Sequence, residues 1–171
     1  MAIVVEDGTG KNDAQTYASV AEADTYHATH GDPSAWSSAT TANKEFALIN
    51  ATEYLEWVFG HRWRGLRSNE LQALDWPRTG IVDDDGYAID ATDMPQRLKD
   101  ACMYLALQAL SETLLVDVSG ADASISREKV KLGDLEQDRS YAGVKSVQKR
   151  YSRVEKMLRH YTVASNRVLR G

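Results

Sequence analysis

The residues from Pro95 to about Leu115 are apolar on nearly every side of a helix, which constrains the fold more than any other segment. One apolar stripe recurs at helical spacing, and a second set covers most of the remaining circumference. The stripe contains Leu98, Ala101, Cys102, Leu105, Ala106 and Ala109, and the second set contains Met103, Tyr104, Leu107 and Leu110. Such a helix needs neighbours on all sides. The sequence therefore predicts that it lies at the centre of a helical bundle, with Pro95 in its first turn.

Three further segments have helix signals. Ser19 followed by Glu22 forms a capping-box pattern and predicts the start of a short helix. Residues 41–59 have apolar side chains at helical spacing and are followed by Gly60, which predicts the helix end. Residues 143–161 combine an apolar stripe with a basic opposite face. That stripe consists of Val144, Val147, Tyr151, Val154, Leu158 and Tyr161.

A small hairpin or a loop is predicted at residues 81–89, and a second hairpin at residues 127–137. Turn residues lie at the centre of residues 81–89 and of residues 127–137, and residues 68–74 are predicted to add one or two helical turns. The fold class is therefore mainly α, a small bundle of about four helices with one or two short β-hairpins. Residues 1–161 are predicted to form the helical domain, and residues 162–171 a flexible basic C-terminal tail.

Composition is ordinary for one soluble domain. The chain has 171 residues, of which 43% are hydrophobic and 26% charged. Its longest apolar run, residues 101–110, is far shorter than the roughly 20 residues that cross a bilayer, so no membrane-spanning segment is expected. No membrane is among the predicted partners. The N-terminus has no signal-peptide pattern. Cys102 is the only cysteine, which excludes an internal disulfide and fits a reducing cytosol.

Charge is distributed unevenly along the chain. Residues 1–60 carry two basic and nine acidic side chains, whereas residues 139–171 carry nine basic and one acidic. An acidic body with a basic C-terminal end indicates an electrostatic partner for that end. Nucleic acid, an acidic protein surface and anionic lipid all satisfy this requirement.

Four patterns resemble ligand-binding or catalytic motifs but lack required residues. Gly8–Lys11 lacks the first glycine and the final Ser or Thr of a phosphate loop. Asp83–Asp90 lacks the first and last ligands of a calcium loop. His27 and His30 share a helix face but lack a third zinc ligand, and they are interpreted as surface histidines. Cys102 has apolar neighbours, which disfavour a reactive thiolate. The sequence therefore predicts no metal, no cofactor, no catalytic residue and no enzymatic activity.

Arginines flank a tryptophan directly after the predicted second helix. An exposed Trp63 between Arg62 and Arg64 would stack on bases while the guanidinium groups contact phosphates. Alternatively, Trp63 covers the end of the core and the arginines pair with nearby acids. The candidate contacts for DNA or a partner are Arg62, Trp63, Arg64, Arg67, Lys149, Arg153 and Lys156.

Several segments of the chain occur together in a known family. They are Glu6–Gly10 leading into Thr16–Tyr26, Arg62–Gly65, Leu74–Gly80 followed by Asp85-Gly86, Pro95–Ala101, and Arg127–Val130. In these segments the chain resembles tailed-phage and prophage proteins that are labelled head-to-tail connector (adaptor) proteins or DnaT-like single-stranded-DNA-binding proteins. The resemblance covers roughly residues 2–160, and its most specific element is the string Trp76–Gly80. It transfers no catalytic residue.

The resemblance implies a ring, usually a dodecamer, beneath the portal of a phage head. Such a ring extends the DNA channel and docks the tail. The implied partners are the portal protein, the tail or stopper protein, other copies of this chain and passing double-stranded DNA. The implied location is the neck of the virion, after assembly in the host cytoplasm. A nucleic-acid-binding protein of the single-stranded-DNA-binding type is the alternative function.

The C-terminal tail is the predicted portal-docking element. Its apolar side chains stand among arginines in a segment too short to form its own core. The predicted docking residues are Tyr161, Val163, Arg167, Val168, Leu169 and Arg170. Deleting residues 162–171 is then expected to leave thermal stability nearly unchanged. A frayed terminus without a role is the alternative.

Overall fold

A computed structural model describes residues 3–83, 85–115, 127–132, 135–140 and 149–163. The chain divides into two compact units, Met1–Leu114 with Tyr151–Gly171, and Leu115–Arg150. The predicted fold class is confirmed, because the structure is mainly helical with short antiparallel hairpins. The predicted boundary at residue 161 stays a prediction.

Two short helices begin the first unit. Helix α1, Val20–Thr29, starts at the predicted capping box. The Glu22 backbone N–H donates to Ser19 Oγ at 3.2 Å, and the Glu22 carboxylate accepts from the Ser19 N–H at 2.8 Å. Helix α2, Ser34–Ser37, places Trp36 in the core. The two helices contact each other.

Helix α3 spans Thr41–Phe59 and ends at Gly60, as predicted. Its buried face includes Leu48, Ala51, Leu55 and Phe59. The opposite face carries two exposed aromatic side chains, Phe46 and Trp57, which are 65% and 76% exposed. A 3-10 turn, Gly60–Arg62, follows the helix.

Helix α4, Gln96–Ala109, is the central helix, as predicted, and contacts α1, α3 and the C-terminal helix α5, Ser152–Leu158. Its stripe residues Leu98, Ala101, Cys102, Leu105 and Ala106 are all completely buried. The helix ends before the predicted Leu115, because the polar sequence Ser111-Glu112-Thr113 interrupts the apolar pattern. No helix in the described part of the chain is long and apolar enough to span a bilayer.

Helix α5 is much shorter than the predicted helix over residues 143–161. Tyr151 has extended backbone dihedrals (φ −94°, ψ 95°), so no helix continues through it. The stripe residues Tyr151, Val154, Leu158 and Tyr161 are nevertheless all buried. The apolar spacing therefore identified core residues correctly but not their backbone conformation. Residues 141–148 lie outside the described residues.

Short strands connect the helices of this unit. Strand β1, Leu66–Arg67, pairs antiparallel with β2, Arg78–Thr79. The predicted hairpin at residues 81–89 is confirmed by an antiparallel bridge between Val82 and Ala88. The predicted helical turns at residues 68–74 are wrong, because side chains there bind the loop backbone. Gln72 Oε1 accepts from the Asn69 N–H at 2.9 Å, and Gln72 Nε2 donates to Leu74 O at 2.7 Å.

The second unit contains the other predicted hairpin, and this prediction is also confirmed. Strand β3, Arg127–Leu132, pairs antiparallel with β4, Leu135–Ser140. Three of its register pairs join residues of opposite charge, namely Glu128 with Arg139, Lys129 with Asp138 and Lys131 with Glu136. Six residues of each strand are paired in this register.

Candidate functional site

A groove of about 480 Å³ lies between α4 and α5. It is lined by Arg97, Asp100, Ser152, Arg153, Lys156 and Met157. Arg153 and Lys156 are three residues apart on α5 and therefore share a face. The structure thus brings two predicted contact residues beside Arg97. Nothing in the sequence singles out Arg97, because it stands at the start of a helix otherwise marked as core.

The three cations of the groove are engaged in no ion pair within the described residues. The ion pairs found there join Lys11 to Asp7, Lys44 to Asp24 and Lys99 to Glu22. The Arg153 guanidinium lies 4.7 Å from the centroid of the Tyr104 ring, a cation–π contact that orients it over α4. Asp100, the carboxylate of the groove, accepts from Gln96 Nε2 at 2.8 Å. The groove therefore has excess positive charge available to an anion.

Trp63 does not offer a stacking face, so the base-stacking interpretation of the arginine cluster is corrected. Its side chain is only 6% exposed and packs edge-on against Trp76, with ring centroids 5.7 Å apart. Arg62 is partly buried, and its guanidinium carbon lies 5.3 Å from the centroid of the Phe59 ring. These contacts agree with the alternative interpretation, in which Trp63 covers the end of the core.

The remaining predicted contacts are dispersed. Arg64 is exposed, and Arg67 Nη2 donates to the carbonyl oxygen of Gln72. Lys149 is exposed and belongs to the second unit. None of these three lines the groove between α4 and α5.

The C-terminal segment returns to the arginine cluster. Trp63 and Thr162 form an antiparallel bridge. Hydrogen bonds on either side run from Arg64 N to Tyr161 O and from Val163 N to Arg62 O, both 2.8 Å. Two regions that the sequence marks separately, the arginine cluster and the start of the tail, are therefore adjacent.

Tyr161 belongs to the core, which corrects its predicted docking role. It is 9% exposed and contacts Trp76 edge-on, with ring centroids 5.6 Å apart. Val163 is 54% exposed and remains available to a partner. The other predicted docking residues, Arg167, Val168, Leu169 and Arg170, lie outside the described residues, and their role stays a prediction.

The string Trp76–Gly80 serves the fold. Trp76 is completely buried and is joined to Pro77 by a cis peptide bond. Arg78 Nε donates to Arg64 O at 2.7 Å, Nη1 to Asp75 O at 3.1 Å and Nη2 to Gly65 O at 2.8 Å. The Arg78 guanidinium thereby joins strand β2 to the loop that follows the 3-10 turn at Gly60–Arg62. This segment, the most specific part of the resemblance, therefore stabilises the fold.

The glycines of Gly8–Lys11 surround a carboxylate of the chain itself. Glu6 is fully buried, and it accepts hydrogen bonds from the backbone N–H groups of Gly8, Gly10 and Lys11, each at 2.9 Å. Successive N–H groups around an anion are what a phosphate-binding nest provides. Here Glu6 fills that position, so these donors are unavailable to a phosphate.

His27 is buried rather than on the surface, which corrects the sequence interpretation. Its ring lies 4.5 Å from that of Trp36, and Nε2 lies 3.1 Å from Met103 O. Burial lowers the pKa of His27. Burial also raises the pKa of the Cys102 thiol, as its apolar neighbours predict. Within the described residues, no cluster of His, Cys, Asp or Glu side chains is arranged to hold a metal ion.

Glu56 is a partly buried carboxyl group that no sequence pattern indicates. It lies between α3 and the loop before β2. Glu56 accepts from the Tyr17 hydroxyl, and its second oxygen accepts from the Asp75 N–H at 2.8 Å. Burial raises the pKa of Glu56 to about 7, and the nearby charge of Asp75 adds to the rise. The helical pattern of α3 places Glu56 away from the apolar stripe, so only the packed loop reveals its role.

A family model described as "Putative DnaT-like ssDNA binding protein" matches residues 1–171. No curated protein and no solved structure matches the chain.

Proposed function

The chain belongs to this DnaT-like family, and from that premise we propose that it binds single-stranded DNA, without catalysing a reaction, through the groove between α4 and α5. The observation that carries the proposal is the convergence of Arg97, Arg153 and Lys156 on one groove without an ion-pair partner among the described residues. Arginine and lysine that are free of carboxylates are the usual contacts for phosphate oxygens.

The charge distribution limits how strong this binding is. Three phosphate contacts on a single strand correspond to a slope of about −2 in a plot of log affinity against log salt. Affinity then falls about twentyfold between 50 and 200 mM salt. The acidic body around the groove repels the strand elsewhere. Binding is therefore weak, independent of sequence and confined to the groove.

Titration of the protein into a fluorescent oligothymidylate tests the proposal. We expect Arg97→Ala and Lys156→Ala each to weaken binding several-fold and to reduce the salt slope by about 0.7. Arg64→Ala is the matched control, because it removes the same charge from an exposed position outside the groove. Equal losses from Arg64→Ala and the groove variants would show that binding is only a general charge effect. An absence of binding at 50 mM salt would refute the proposal.

We propose as a second candidate that the chain is the head-to-tail adaptor of a tailed phage, located in the neck of the virion. The observation that favours it is the pair of exposed aromatics on α3. Phe46 and Trp57 are eleven residues apart, so they lie on one line along the helix, about 16 Å apart. Exposed aromatic side chains are typical centres of protein–protein contact. A portal protein or a neighbouring copy in a ring is the expected partner.

Electron microscopy of the protein mixed with portal rings tests this candidate. We expect added density beneath the portal with the wild-type chain and its loss in a Phe46→Ser, Trp57→Ser double variant. Tyr87→Ser is the matched control, since Tyr87 is 72% exposed but lies in the hairpin turn. A stable two-fold dimer as the sole species would contradict a ring, whose subunits pack head to tail.

A further inference from the structure

A second groove of about 530 Å³ lies between α1 and α4. Its lining residues are Ala21, Glu22, Thr25, Tyr26, Thr29, His30, Gln96, Asp100 and Met103. Asp100 lines this groove and also the cationic groove. The two grooves therefore meet across the first turns of α4.

A pair of stacked rings lines the second groove. Tyr26 and His30 are one helical turn apart, with ring centroids 4.1 Å apart and an interplanar angle of 22°. His30 Nδ1 lies 2.7 Å from Tyr26 O and 3.1 Å from Thr29 Oγ1, so the imidazole is held in place. Tyr26 is buried, whereas His30 is exposed. The buried ring therefore supports an exposed flat ring at the edge of the groove.

We infer that this second groove receives an unpaired nucleobase of the strand whose phosphates contact Arg97, Arg153 and Lys156. The inference rests on the proposed function and adds a base-binding subsite to it. A base and its phosphate are adjacent parts of one nucleotide, and the two grooves are likewise adjacent because Asp100 lines both. Aromatic and histidine rings bind bases by stacking, which tolerates any base because every base has a π face.

This subsite would favour binding of a single strand over a duplex. In a duplex, both faces of each base are covered by its neighbours, so a groove of this kind admits a base only after it leaves the stack. The cations alone would not discriminate, because phosphates are present in both forms. Stacking of a base on the His30 ring therefore distinguishes a single strand from a duplex.

An oligothymidylate and an abasic oligonucleotide of equal length separate the two contributions. Stacking of one base corresponds to about a 5- to 150-fold gain in affinity. We therefore expect the abasic strand to bind more weakly than oligothymidylate by a factor in this range. His30→Ala should weaken oligothymidylate binding by a similar factor and leave abasic binding unchanged, while His30→Phe should restore it. His61→Ala is the control, because His61 is an exposed histidine that lines neither groove.

The outcomes distinguish this inference from the proposed function. Equal binding of the two strands, or equal loss with His30→Ala on both, would overturn the base subsite while leaving phosphate binding intact. Failure of both strands to bind would overturn both. Circular dichroism of each variant shows that the helical fold is retained.

Discussion

Glu56 and His27 are inward-facing titratable side chains whose pKa values the fold moves in opposite directions. Burial raises the pKa of Glu56 to about 7 and lowers the pKa of His27 below its ordinary value of 6.5. In both residues burial favours the neutral form. A carboxyl group is neutral when protonated and an imidazole when deprotonated, so their contributions to stability depend on pH with opposite sign.

Glu56 should destabilise the fold as pH rises. Its contribution is fully present below the unfolded pKa of 4.5 and is lost as pH rises through about 7. The shift corresponds to a difference on the order of 3 kcal/mol in the free energy of unfolding. We expect Glu56→Gln to remove this pH dependence in urea titrations between pH 5 and pH 8. Glu53→Gln, at an exposed position one turn earlier, is the control and should leave the dependence unchanged.

His27 should destabilise the fold as pH falls. Its contribution is present above the unfolded pKa of 6.5 and is lost as pH falls through the lowered folded pKa. We expect the melting temperature of the Glu56→Gln variant to drop between pH 7 and pH 5, since the opposing contribution is then absent. Adding His27→Gln should flatten that drop. A drop of unchanged size in the double variant would show that another group is responsible.

At the scale of elements, specific polar and backbone contacts hold the N-terminal loop in place. Glu6 binds three backbone N–H groups, and Gly8 lies directly against the backbone of Thr92. A side chain at Gly8 would place Cβ 1.8 Å from Thr92 O, and φ at this position is +100°. The loop therefore docks only because residue 8 is glycine.

Comparing Gly8→Ala with Gly31→Ala separates the cost of a steric clash from the cost of an unfavourable backbone φ. Gly31 also has a φ of +100°, but nothing lies within 4 Å of the position that a Cβ atom would take there. Strain alone should cost about 1–2 kcal/mol in Gly31→Ala. Gly8→Ala should lower the free energy of unfolding by at least about 3 kcal/mol, because the loop must also move away from Thr92. Equal effects in urea denaturation would mean that the loop docks differently.

At the scale of the whole molecule, the C-terminal segment closes the first unit. Thr162 is buried opposite Trp63, and Val163 N donates to Arg62 O. Helix α5 and these residues pack a distant part of the sequence against α4 and the loop after α3. Removing residues 162–171 therefore also removes Thr162 and Val163 from the packed first unit.

Two truncations test this closure. Ending the chain after Tyr161 removes the bridge and should lower the free energy of unfolding by about 1–3 kcal/mol, because buried polar groups lose their partners. Ending it after Val163 keeps the bridge and should leave the melting temperature nearly unchanged. If both truncations melt alike, the bridge contributes nothing. The second truncation is also the correct one for testing portal docking by the tail, since it leaves the core intact.

The elements whose signals are local could be predicted from the sequence. The capping box at Ser19, the span of α3 and its end at Gly60, the central position of α4 and both hairpins follow from side-chain periodicity and turn chemistry over a few neighbouring residues. The same periodicity identified Val154 and Leu158 as core residues, although the helix around them is shorter than predicted. An apolar side chain is buried when it faces the interior. The spacing of apolar residues identifies such positions even where the backbone is not helical.

Which charged and aromatic side chains are available to a partner depends on how distant segments pack together. Trp63 and Tyr161 are buried around Trp76, because residues about a hundred positions apart meet there. Arg97 joins Arg153 and Lys156 only because α4 and α5 pack together. Exposure and the meeting of distant charges depend on contacts between segments, and no local pattern encodes them.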